Sequence, residues 1–125
     1  MKLLDTSVAI DHLRGEEVAV ALLRGLIDQE EMVAASELVR FELVAGVRED
    51  ELEALEHFCS ALSWVSVDEA ITRTAGSLAR KHRTAHSGID DVDYLIAATA
   101  LILEAELLTT NVRHFPMLTG IRPAY

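Results

Sequence analysis

The sequence predicts an α/β fold with a mostly parallel sheet of four to five strands. Short apolar runs alternate along the chain with longer segments of helical periodicity, which is the pattern of parallel sheets. Half of the 125 residues are hydrophobic, so residues 1–125 can form a single domain with a substantial core. The first apolar run ends at Asp5 and the last leads into Thr110 and Asn111, so polar groups stand where parallel sheets bind ligands.

Four runs are predicted to be strands because each is short, apolar and bounded by polar or turn-forming residues. They cover residues 2–5, 32–35, 64–67 and 107–109. The segments between them are predicted to be helices, over about 8–13, 16–29, 36–47, 49–62, 68–83 and 91–105. Thr6 or Ser7, Ser36 and Asp68 are the expected N-caps of three of these helices.

The net charge of −10 argues against binding of nucleic acid by overall charge, because phosphate affinity comes from Lys and Arg. Metal ions or a basic partner could still supply positive charge locally. The single cysteine, Cys59, excludes an internal disulfide, is expected to be buried and fits a reducing compartment. No apolar stretch reaches membrane-spanning length and no signal peptide is evident, so we expect a cytoplasmic protein without a membrane partner.

Three acidic residues occur in apolar surroundings far apart along the chain. Asp5 ends the first strand, and Glu42 lies inside Phe41-Glu42-Leu43-Val44, at the edge of the helix face on which Phe41 is expected to point inward. Asp93 precedes a very apolar helical segment that is expected to be buried on nearly all sides. Asn111 follows the last strand and adds an amide oxygen. Simpler explanations remain open for each: a turn or cap for Asp5, a solvated helix position for Glu42, a favourable helix dipole for Asp93 and an N-cap for Asn111.

A divalent cation would explain why these groups gather in one place. Mg²⁺ and Mn²⁺ favour hard oxygen ligands, and Mg²⁺ is usually held by a few carboxylates, several waters and a substrate phosphate. Clustered carboxylates repel one another, and a cation relieves that repulsion. A bound cation lowers the pKa of a water molecule and stabilises charge on phosphoryl oxygens, which is the chemistry of phosphodiester hydrolysis.

Other chemistries find little support in the sequence. The five histidines are scattered and Cys59 has no partner, so no zinc pattern is present. Neither a nucleophile elbow nor a glycine-rich phosphate loop occurs. A haloacid-dehalogenase-like phosphatase would require an acid two residues after Asp5, where this chain has Ser7.

Four segments together resemble the PIN-domain ribonucleases, and within them the VapC-type toxins of toxin–antitoxin pairs. They are Leu3–Ser7, Arg40–Gly46, Asp93–Ala98 and Leu108–Phe115, in the order of that family. The resemblance covers nearly the whole chain. It implies a PIN-like three-layer α/β/α sandwich and an endoribonuclease activity that depends on Mg²⁺ or Mn²⁺.

The resemblance also implies roles for individual residues. Asp5, Glu42 and Asp93 would be the catalytic metal ligands, and Asn111 would replace the family's fourth acid. Ser7, Asp91 and Thr110 would be auxiliary. The expected partners are RNA, a second copy of the chain, and a small VapB-like antitoxin in a hetero-oligomer.

Positive charge is concentrated in two places, and the residues in them that we predict to contact RNA are Arg80, Lys81, Arg83 and Arg113. The first three equally fit a solvated helix end whose charge complements the helix dipole. The apolar stripes of the 16–29 helix fit a dimer interface or ordinary core packing. A degenerate PIN-like domain that only binds or assembles is the alternative function, because Asn111 departs from the family pattern.

Overall fold

The computed structural model describes residues 1–125 and contains one sheet of four parallel strands. The strand order is β3-β2-β1-β4, with bounds β1 (Lys2–Leu4), β2 (Val33–Ser36), β3 (Ser63–Val65) and β4 (Glu106–Leu108). Leu3 lies opposite Ala34 on one side and Leu107 on the other, so β1 is central. The predicted parallel α/β architecture is confirmed, with four strands.

Six α-helices connect the strands: α1 (Thr6–Leu13), α2 (Glu17–Asp28), α3 (Glu37–Gly46), α4 (Leu52–Cys59), α5 (Glu69–His82) and α6 (Asp91–Leu103). Two short 3₁₀ helices occupy Glu49–Glu51 and Val112–His114. None of the helices is both long and apolar enough to cross a membrane.

The order of the strands determines which helices lie together. Crossovers between parallel strands are right-handed, and the first two step from β1 to β2 to β3 in one direction. The third returns past β2 and β1 to reach β4, so its helices lie on the opposite face. The packing agrees with this geometry, since α1 contacts α2, α3 and α4, whereas α5 packs against α6.

The core consists of the inner faces of these layers around a sheet made of small and branched residues. Leu3, Leu4, Ala35, Phe115 and Tyr94 are among the residues with almost no exposed surface. Cys59 is buried and unpaired, as predicted. Burial of this apolar surface is the main source of the stability of the fold.

Two N-cap predictions are confirmed, and one is wrong. The Ser36 hydroxyl accepts a hydrogen bond from the Leu38 backbone N–H at 3.1 Å. The Asp68 carboxylate accepts from the Ile71 N–H at 2.9 Å. Helix α1 begins earlier than predicted: Thr6 and Ser7 lie inside it, and Asp5 holds the N-cap position without a side-chain cap bond.

Several predicted helix faces and bounds were also wrong. Phe41 is 70% exposed, because Val39 and Leu43 are the buried residues of α3. The predicted 49–62 helix is a 3₁₀ turn followed by the shorter α4. Helix α6 ends at Leu103, and its Leu101 and Ile102 are exposed although we expected burial on nearly all sides.

Replacing Ser36 with Ala should lower the free energy of unfolding by about 1 kcal/mol, because the cap of α3 is lost at a buried position. Urea denaturation followed by circular dichroism measures this change. Ser87→Ala is the matched control, since Ser87 is exposed between α5 and α6. Equal stability of the two variants would contradict the role assigned to the Ser36 hydroxyl.

Candidate functional site

The candidate site lies where β1 and β4 end side by side. Chain order reverses at this pair, since the connection from β1 leads to one side of the sheet and β4 lies on the other. Such a switch point leaves a crevice at the carboxyl ends of the strands. Asp5 follows β1 at this edge, and its backbone N–H donates to the Leu108 carbonyl at 3.0 Å.

The carboxylate of Asp5 is held by two hydroxyl groups. Thr109 Oγ1 donates to Asp5 Oδ2 at 2.7 Å, and Ser7 Oγ donates to the same oxygen at 3.1 Å. Asp5 is only 8% exposed and Thr109 is fully buried, so water competes little for these bonds. Since both bonds use Oδ2, Oδ1 is left free for another ligand.

The loop after β4 completes this arrangement through its backbone. The Thr110 N–H donates to Ser7 Oγ at 3.1 Å, and the Asn111 N–H donates to Thr109 Oγ1 at 2.9 Å. Thr110 therefore joins the site through its backbone. Asn111 is exposed and precedes the Val112–His114 helix without a side-chain cap bond.

Asp93 reaches the same edge from the first turn of α6. Asp90 caps this helix: its carboxylate accepts from the Asp93 N–H at 3.1 Å, while Asp93 Oδ2 accepts from the Asp90 N–H at 3.3 Å. The pKa of Asp93 is raised to about 6, chiefly by burial and also by the negative charges of Asp90 and Asp5. The backbone bond from Asp90 and the nearby His114 act in the opposite direction. Asp93 and Asp5 are thus close enough for their charges to interact.

Glu42 is placed differently from these two acids. It lies on the exposed side of α3, and its Oε1 accepts a hydrogen bond from Thr6 Oγ1 at 2.8 Å. Thr6 is the neighbour of Asp5, so Glu42 borders the same helix start. No three Asp, Glu, His or Cys side chains converge into a complete metal-binding cluster. Asp93 therefore lies within electrostatic range of Asp5, whereas Glu42 contacts the residue next to Asp5.

Asp91 points away from this pair. Its side chain is 84% exposed, and its Oδ1 accepts from Arg83 Nη2 at 2.7 Å. The Arg83 guanidinium also lies over the Tyr94 ring, 5.6 Å from its centre.

Of the predicted basic residues, Arg80 and Lys81 are exposed in the last turn of α5, and Arg113 is exposed beside His114. The contact of Arg83 with Asp91 places the end of α5 beside the start of α6.

Sequence reasoning missed two residues of the site, His114 and Thr109. The Nδ1 atom of His114 lies 3.4 Å from Asp93 Oδ2. Its position beside Arg113 suggested only a basic cluster, since nothing in the sequence relates it to Asp93. Thr109 was recognised as a neighbour of Asn111, but only the fold shows that its buried hydroxyl bonds Asp5.

The groups present fit a hard divalent cation. Asp5 offers a free carboxylate oxygen, and Asp93 is a largely buried acid whose charge is opposed by its neighbours. Two nearby carboxylates with like charge would bind a cation in place of repelling each other. A site with few protein ligands suits Mg²⁺, which retains several waters and takes substrate phosphate as a further ligand.

Comparison with known proteins gives a consistent result. The PIN domain family model matches residues 2–117. The chain is 63% identical over 125 residues to Ribonuclease VapC19 of Mycobacterium tuberculosis, with both chains fully covered. It is 35% identical over 127 residues to Ribonuclease VapC10 of the same species, covering 100% of this chain and 93% of the relative.

Among solved structures, the fold resembles VapBC2 from Rickettsia felis bound to a DNA fragment from their promoter. The TM-score is 0.81 at 23% identity, and the match covers 96% of this chain and 94% of that chain. At this identity the likeness concerns the fold.

The raised pKa of Asp93 predicts a specific pH dependence of stability without divalent cations. Between pH 3.8 and about 6 the folded protein keeps a proton that the unfolded chain releases. The stabilisation is therefore complete below pH 3.8 and is lost as the pH rises through about 6. Urea denaturation in EDTA should show this decline in the free energy of unfolding, and Asp93→Asn should remove it. Asp91→Asn, at an exposed neighbouring position, should keep the decline. If the free energy of unfolding depends on pH equally steeply in the wild type and in Asp93→Asn, the decline does not come from Asp93.

Proposed function

Because this chain belongs to the PIN-domain family, we propose that it is a metal-dependent endoribonuclease acting as the toxin of a VapBC-type toxin–antitoxin pair. The full-length similarity to Ribonuclease VapC19 supports the activity. The observation that carries the proposal is an Asp5 carboxylate held by two hydroxyl groups at the switch point of the sheet, with Asp93 near enough for the two charges to interact. The cytoplasm, where RNA is present, is the proposed place of action.

Asp5, Glu42 and Asp93 are the residues proposed to hold the cation, which we take to be Mg²⁺ or Mn²⁺. When bound, such an ion supplies an activated water and stabilises charge on the phosphoryl oxygens. Thr109 and Ser7 fix the orientation of the Asp5 carboxylate by bonding one of its oxygens, which leaves the other oxygen available to a cation. Glu42 has one oxygen engaged by Thr6 and a second that can accept a hydrogen bond from water.

The remaining predicted residues take supporting places. Asn111 is exposed at the rim, where its amide can contact the sugar–phosphate backbone. Ser7 and Thr110 secure the loop after β4, and Asp91 holds Arg83 beside the site. We propose that Arg80, Lys81, Arg83 and Arg113 attract the RNA backbone towards the acidic residues.

The proposed partners are those of a toxin in a VapBC-type toxin–antitoxin pair. A small antitoxin would neutralise the toxin, and the acidic charge of the chain favours a basic segment in that antitoxin. A homodimer, and a hetero-oligomer with the antitoxin, complete the proposed assembly.

The second candidate is a PIN-like module that binds or assembles without catalysis. The absence of a complete three-residue metal cluster favours it, as does the exposed Asn111 where an acid was expected. Direct measurement of Mn²⁺ binding separates the two functions, because the module has no need for the cation.

Asp5→Asn and Asp93→Asn should each reduce RNA cleavage at least about 100-fold, since each removes a charge that the cation requires. Cleavage of labelled RNA in Mg²⁺ or Mn²⁺ measures the loss, and circular dichroism establishes folding. Calorimetry should show Mn²⁺ binding to the wild type that is weakened in both variants. Asp50→Asn, an exposed residue near α4, is the charge-matched control and should retain activity.

Full activity in either folded variant would remove that residue from the site. Failure of the wild type to bind Mn²⁺ at millimolar concentration would favour the non-catalytic module.

Replacing Arg80 and Lys81 together with Gln should raise the KM for RNA several-fold and leave kcat unchanged. The reason is that the two charges would attract phosphate without touching the reacting atoms. The dependence of binding on salt should also become less steep. Arg24→Gln, at an exposed position on α2, is the control. An unchanged KM and salt slope would show that these residues only complement the helix dipole.

A further inference from the structure

Residues 121–125 form a segment without regular secondary structure, here called the strap. Ile121 and Ala124 are partly buried against the core, whereas Arg122 and Pro123 are exposed. Arg122, Pro123 and Ala124 line a groove that also contains Leu22 and Leu26 of α2. The strap is thus held by a few contacts at the surface.

Ala124, the fourth residue of the strap, is bonded to a residue that holds Asp5. The Ala124 N–H donates to the Thr109 carbonyl at 2.8 Å. The hydroxyl of the same threonine donates to Asp5 Oδ2 and accepts from the Asn111 N–H. A shift of the Thr109 backbone would therefore move a donor of the Asp5 carboxylate.

The next residue of the strap, Tyr125, is bonded to the helix that begins beside Asp5. The Tyr125 hydroxyl donates to the carboxylate of Asp11 on α1. Burial and this bond to Asp11 both raise the pKa of Tyr125, so the hydroxyl stays protonated as the donor. Helix α1 also carries Ser7, the second donor to Asp5. Both donors to one carboxylate thus lie on elements that the strap ties together.

We propose that the strap positions the Asp5 carboxylate, with the Ala124 backbone N–H and the Tyr125 hydroxyl as its two anchors. Ala124 and Tyr125 are positioning residues, since they act through Thr109 and α1. The inference rests on the proposed function for its effect on catalysis, but the coupling of the strap to Thr109 exists without it. A small displacement of a metal-holding carboxylate is costly because catalysis depends on its orientation.

Ala124→Pro tests the first anchor, because proline has no backbone N–H to donate. Ala124→Ser keeps the N–H and is the matched control, and Tyr125→Phe removes only the second anchor. The first measurement is hydrogen exchange at the Thr110 and Asn111 amides, which bond to Ser7 and Thr109. The second is Mn²⁺ affinity by calorimetry, together with kcat and KM on RNA and the melting temperature.

In Ala124→Pro, both amides should exchange about fivefold faster, with Mn²⁺ affinity and kcat lowered by about the same factor and KM unchanged. Tyr125→Phe should change the same quantities in the same direction by a smaller factor, and Ala124→Ser should match the wild type. A purely structural role would lower the melting temperature without these changes. If Ala124→Pro does not fold, the exchange and activity measurements on Tyr125→Phe alone test the proposal.

Unchanged exchange at Thr110 and Asn111 in the folded variants would overturn the proposal. Exchange requires neither cation nor RNA, so it is independent of the proposed function. Faster exchange in a protein whose wild type binds no Mn²⁺ would support the strap and overturn the nuclease.

Discussion

The parallel pairing of β1 with β4 is the constraint on which the site depends. It aligns Leu3 with Leu107 and Leu4 with Leu108, so that Asp5 and Thr109 leave the sheet side by side. Because side chains alternate between the two faces of a strand, a slip of one residue would separate the Thr109 hydroxyl from the Asp5 carboxylate. The buried bond between residues 104 positions apart therefore requires the correct register of β1 against β4.

The same geometry creates an electrostatic cost. Asp93 and Asp90 form the capping box at the start of α6. Asp93 is also largely buried and lies within range of the negative charge on Asp5. A fold selected only for stability would replace one of these acids with a neutral residue. A bound cation would convert the repulsion into shared attraction, because both carboxylates would then face a positive charge. Stability and the proposed function thus make opposite demands on Asp93.

An acidic protein can bind RNA if its positive charges are concentrated locally, so the placement of charge matters more here than the net charge. The contact between Arg83 and Asp91 places the cationic end of α5 next to the acidic start of α6. Positive and negative groups therefore meet at the rim of the site although the net charge is −10. The residues proposed to attract RNA at the end of α5 therefore adjoin the helix whose first turn carries Asp93.

The sequence by itself determined the fold class, because alternation of short apolar runs with helical periodicity is a local property. It also singled out Asp5 and Asp93 as candidates, since acids in apolar surroundings can be recognised from their neighbours. Only the tertiary structure decided that Phe41 faces solvent, that Asp91 points towards Arg83, and that Thr109 and His114 join the site. These outcomes depend on which face of each helix packs and on pairing between strands distant in sequence, and no local pattern encodes either.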